Sequence, residues 1–154
     1  GAALAFRSDF KNLILPIPDS WVHDGWIALL IAGLSDMGII TEPLVYYRQH
    51  SDNQIGATKK GVWRRIKESV ELNRKCYYDA DIRAYQAAYL RLLPHLDHTK
   101  LNLLQEKLRH LHCRSSLPKA RCSRIPVILK ELVTMRYHRY SRHWQVAVRD
   151  MIIL

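Results

Sequence analysis

Apolar positions change rhythm along this chain. Ala2 to Phe6 is a short run of small and apolar residues, the pattern of a buried strand or its end. Arg7 to Leu15 suits a helical turn. Residues 15–20, LPIPDS, read as a loop, because each proline drives its predecessor away from helical geometry. After Asp24, the spacing of Trp26, Ile27, Leu29, Leu30, Ile31 and Leu34 predicts a largely buried helix, with Gly38 placed to end it. Residues 39–50, IITEPLVYYRQH, are rich in β-branched and aromatic side chains. They predict one strand, or two short ones broken at Pro43. Strand, loop, helix and strand over residues 1–50 add up to part of an α/β sheet.

From Lys59 the period becomes helical. Val62, Ile66, Val70, Asn73 and Tyr77 make one stripe, and Ile82, Tyr85, Tyr89 and Leu92 a second. Leu101, Leu104, Leu108 and Leu111 make a third, with Pro94 and Pro118 as separators. Ser123 is placed to cap a further helix with Pro126 in its first turn, and a last amphipathic piece runs from about Ser141 to Ile153. The expected fold is therefore α/β over residues 1–58, followed by a mainly helical region over 59–154, mostly helical overall. No internal repeat is evident.

Charge divides the chain at the same place. Residues 1–58 carry three basic and six acidic side chains, a net of −3; residues 59–154 carry 21 and eight, a net of +13. A surface this basic seeks phosphate, on nucleic acid or on anionic lipid. Among apolar runs, the longest is Trp26 to Leu34, well short of the roughly 20 residues that span a bilayer. The opening GAALAF has no charged leader and does not read as a signal peptide; it reads as a chain that begins inside something longer. Cys76, Cys113 and Cys122 are odd in number and widely spaced, which argues against a disulfide framework or a zinc knuckle.

Two stretches carry candidate chemistry. In PDSWVHDGW, residues 18–26, Asp24 stands at the predicted helix start. It is either a helix cap or a carboxylate held ionised by the helix dipole to accept a proton. In EPLVYYRQHSDNQIGA, residues 42–57, Arg48 and His50 share a face of a continuing strand. With Asn53 they offer donors and a ligand to a diphosphate or its divalent cation; the alternative is an edge strand ending in a turn.

Together GAALAFR, LPIP, HDGWIALLIAG and EPLVYYRQHSDNQIGA resemble, in order and spacing, the second half of a glycosyltransferase family 2 catalytic domain. The resemblance covers about residues 1–60 and is closest to the bacterial rhamnosyltransferase-like branch. It implies a GT-A fold, a nucleotide-sugar donor, a divalent cation (Mg²⁺ or Mn²⁺) and a glycan or polyprenyl-linked acceptor in surface-polysaccharide synthesis, with rhamnose among the sugars. By the same resemblance Asp24 is the catalytic base, His50 lies at the metal–diphosphate end beside Arg48, and His23, Asn53, Trp21 and Trp26 line the substrate. The two tryptophans would offer a flat face to a sugar ring, with a core role as the rival reading for Trp26. The family's upstream Asp-x-Asp motif has no counterpart here. Asp79–Ala80–Asp81 has the letters but falls in the helical region, where it reads as a solvated junction. A C-terminal portion that lacks its nucleotide-binding half, inactive alone, is the expectation.

The basic helices, laced with Trp63, Tyr77, Tyr78, Tyr137, Tyr140 and Trp144, suggest a peripheral contact with an anionic membrane at the cytoplasmic face. The rivals are a basic helical protein that binds nucleic acid and a split-enzyme half that needs a partner chain. Against nucleic acid stand an acidic first part and the lack of any zinc, helix-turn-helix or RNA-recognition signature.

Overall fold

Trp26, at the head of the apolar run, is wholly buried, and the first core forms around it. The computed structural model describes residues 3–19, 21–45, 74–141 and 144–152. A 3-10 turn, Ser8–Phe10, leads into α1, Lys11–Ile14, and a loop leads on to α2, His23–Leu34. The indole N–H of Trp26 donates to the Ile14 carbonyl at 2.8 Å, fixing α2 against α1. Ile27, Leu30 and Ile31 complete the buried face of α2 and pack with Ala88 and Leu92 of α3, Arg74–Leu92. From α3, Arg91 donates to the carbonyls of Leu13 and Leu15, both at 2.7 Å, so one guanidinium ties off the end of α1.

The helix α2 stops at Leu34, where the Ser35 N–H donates to the Ile31 carbonyl at 2.8 Å. Gly38, expected to end it, takes no part. Instead Lys100 of α4, His98–Ser115, donates to the Gly33 carbonyl at 2.9 Å and places a cation at the negative helix end. Asp97 caps α4 by accepting from the Lys100 N–H at 2.8 Å. α3 and α4 pack against each other, burying Tyr78, Ile82 and Leu111.

A second core joins α5, Arg121–Val133, α6, Arg136–Tyr140, and α7, Trp144–Ile152, around Leu117, Ile128, Tyr137 and Ala147. α5 begins two residues before the expected Ser123 cap, so Pro126 lies inside it. The reason is Arg124, whose guanidinium donates to the carbonyls of Pro118 and Lys119, both at 2.7 Å, and so holds the lead-in without a serine. Met135 turns the chain from α5 to α6 in a left-handed conformation, φ 58°.

Among the described residues of 1–58 the α/β expectation is not met and no GT-A sheet is seen; residues 46–50 of the expected strand lie outside the described residues. There is no β-strand among the described residues. Residues 3–7 are irregular. Along 39–45, Ile39, Ile40, Leu44 and Val45 are 88%, 72%, 67% and 53% exposed. A strand exists only through a partner, and β-branched composition reports a fit to a pleated surface, not the presence of one. The expected boundary near residue 58 and the Val62–Tyr77 stripe lie outside the described residues, apart from the backbone of 74–77. Among the described residues no helix is long and apolar enough to cross a membrane.

Candidate functional site

The first turn of α2 carries the candidate base. Its cap position is Val22, an extended residue with no side-chain acceptor, and Asp24 sits one residue inside the helix. Asp24 is therefore not the cap. Its carboxylate nevertheless satisfies part of the open turn, since Oδ1 accepts from the Gly25 N–H at 2.7 Å. Asp24 is partly exposed and His23 beside it is exposed, so this edge of the turn faces solvent.

The tryptophans divide their roles. Trp26 is 0% exposed and cannot present a face to a sugar, which corrects that reading; its bulk and its bond to Ile14 make it a core anchor. Trp21 is half-buried, edge-on to Trp26 at 6.2 Å between ring centroids and tilted against Tyr85 at 5.0 Å. Gly25 lies beneath the Trp21 indole, where an added Cβ would stand 3.5 Å from Nε1. Trp21, His23, Asp24 and Gly25 thus form one corner, braced from below by Trp26. Arg48, His50 and Asn53 lie outside the described residues. Among the described residues no group of three or more His, Cys, Asp or Glu side chains is placed to hold a metal ion.

A second constellation was not anticipated. In the C-terminal bundle, Arg114 donates to the Ser141 hydroxyl at 3.1 Å, Ser141 lies 2.9 Å from His110 Nε2, and His110 Nδ1 lies 2.6 Å from Glu131. With His110 neutral and its Nδ1–H donating to Glu131, Nε2 is an acceptor, and the Ser141 hydroxyl, which takes the Arg114 N–H on a lone pair, donates to it. Burial pushes the His110 pKa below the ordinary value, against the pull of the Glu131 carboxylate, and the Arg114 charge adds to the downward shift. Glu131 also accepts from Arg136 at 2.9 Å, and Arg136 reaches Glu106 at 2.7 Å, which pairs with Arg109 as well. Asp150 receives Arg114 through two bonds, at 2.6 and 3.1 Å, and the Tyr137 hydroxyl at 2.9 Å.

Above Glu131 lies a groove of about 470 Å³, lined by Arg109, Cys113, Val127, Lys130 and Arg136. Burial raises the Cys113 thiol pKa, which favours its protonated form. A sequence signal for this network did exist. Residues 98–152 hold twelve basic and only three acidic side chains, so each acid is outnumbered by available partners. What the spacing could not give was which cations would turn inward.

No protein-family model matches the chain, and no curated protein or solved structure matches it.

Proposed function

We propose that this chain supplies the acceptor-activating part of a family 2-like glycosyltransferase, with Asp24 as the base. The observation that carries the reading is the partly exposed Asp24 carboxylate in the first turn of α2, beside exposed His23 and half-buried Trp21, on a helix pinned by Trp26. The α/β sheet forms no part of the proposal, which rests on the motif and on this corner. Asp24 takes the proton of an acceptor hydroxyl as that oxygen attacks the anomeric carbon. The bond from that carbon to the nucleoside diphosphate breaks as the new C–O bond forms, inverting the centre. Trp21 and His23 orient the acceptor, by apolar contact and by hydrogen bonding.

The nucleotide-sugar and its divalent cation belong to a nucleotide-binding portion, joined to this chain or separate, with Arg48, His50 and Asn53 as contributors. The acceptor is a glycan or polyprenyl-linked sugar, and the protein works peripherally at the inner face of the cytoplasmic membrane. The test compares wild type with Asp24→Asn in the enzyme assembled with its nucleotide-binding portion, following labelled sugar into the lipid-linked fraction. Asparagine keeps the shape but cannot take the proton, so transfer falls roughly 10²- to 10⁴-fold. Unchanged transfer overturns the proposal.

A further inference from the structure

Helices α5 and α7 each present an apolar stripe that the core does not use. On α5, Ile125, Leu129 and Val133 recur every fourth residue and are 41%, 50% and 82% exposed. On α7, Trp144, Val148 and Ile152 recur at the same interval and are 64%, 42% and 55% exposed. Every-fourth spacing places each trio along one side of its helix. The core takes other positions: Arg124, Ile128 and Glu131 on α5, Ala147 and Asp150 on α7. The two helices pack on each other, so the stripes belong to one neighbouring pair.

Charge decides what can cover them. Residues 98–152 carry a net of +9. All three of their acids are engaged by cations of the bundle: Glu106 by Arg109 and Arg136, Glu131 by Arg136, and Asp150 by Arg114. Positive charge therefore dominates the outer surface. Exposed Arg121 stands one turn before Ile125 on the same line of α5, exposed Lys130 adjoins Leu129, and exposed Lys119 lies in the lead-in. A second copy of the chain would set one strongly positive surface against another. A nucleic acid would match the bases but leave six apolar side chains in water. An anionic bilayer offers phosphate at the level of the bases and hydrocarbon just beneath.

We propose that α5 and α7 form a monotopic docking surface for anionic lipid, the two apolar trios entering the headgroup–acyl boundary while Lys119, Arg121 and Lys130 meet the phosphates. The inference rests on the peripheral placement above and names the surface responsible. The experiment is co-sedimentation of the full chain with vesicles of phosphatidylcholine alone or mixed with phosphatidylglycerol, over a range of salt. Wild type partitions onto the mixed vesicles and not onto the neutral ones. L129D/V148D, and the milder L129S/V148S, lower partitioning at least tenfold while helix content by circular dichroism is retained; R121Q/K130Q lowers it and flattens the salt dependence. Undiminished binding by both apolar variants overturns this surface and leaves the peripheral placement standing. Failure of wild type to bind the mixed vesicles overturns both. Salt-sensitive retention on single-stranded RNA with indifference to vesicles assigns the bases to nucleic acid. A dimer in solution that L129S/V148S dissociates assigns the stripes to a second copy. Either result replaces the lipid.

Discussion

Removing the Asp150 carboxylate tests how the C-terminal bundle is held. In Asp150→Ala the Arg114 guanidinium, 6% exposed, loses both of its bonds to Asp150, and the Tyr137 hydroxyl loses its acceptor. Stripping one partner from a buried ion pair costs about 3–5 kcal/mol, because the remaining charge stays desolvated. The unsatisfied hydroxyl adds to this, but the two losses share one acceptor and do not sum. We expect a loss of about 4 kcal/mol. With a urea dependence of roughly 2 kcal/mol per molar for a chain of this size, the midpoint drops by about 2 M. The assay is urea unfolding followed by circular dichroism, with the slope checked for constancy. The paired variant R114M/D150L removes both charges and fills the space. It should recover most of the loss, because a buried pair is worth little against an apolar replacement of similar volume. A loss below about 0.5 kcal/mol in D150A would show that the Arg114–Asp150 pair does not hold the bundle. A double variant no more stable than the single one would contradict the expected recovery.

The lowered His110 pKa makes stability depend on pH with a definite sign. Between the folded value and the ordinary value near 6.5, the unfolded chain binds the extra proton, so stability is full above that window and declines as pH falls through it. Urea midpoints at pH 7.5 and 5.5 should show the decline, and His110→Gln should remove its share of it; an unchanged slope contradicts the hydrogen-bond chain. Met135 holds a left-handed backbone while half-exposed, so Met135→Gly should raise stability by about 1 kcal/mol, read from the same midpoints, and a loss would contradict the assigned strain.

Helical periodicity was well written in the described residues from 78 onward. Ile82 and Leu92, and Leu101 and Leu111, were placed on their helices by spacing alone, and all four are buried. The apolar run after Asp24 likewise became α2, with Trp26 as its anchor. Strands were misjudged because pairing is not local: residues 39–45 have strand composition, but no strand pairs with them among the described residues. The start of α5 was misplaced because a serine three residues before a proline is a common cap, whereas the actual stop is a guanidinium folded back onto two loop carbonyls. The turn at Met135 carries neither glycine nor proline, so nothing local announced it. At the candidate corner, the motif singled out Asp24 but not its place one residue inside the helix; that depends on Val22, an apolar residue that no capping rule selects.

The measurement that bears most directly on the proposed sugar transfer is nucleoside diphosphate release, coupled to acceptor glycosylation, by the wild-type chain assembled with its nucleotide-binding portion and by its Asp24→Asn and Asp24→Glu variants. D24N should lose roughly 10²- to 10⁴-fold in kcat with its urea midpoint nearly unchanged, while D24E, still a base but displaced, should retain part of the activity. Equal turnover in all three enzymes would show that this carboxylate only steadies the first turn of α2, and would end its assignment as the base.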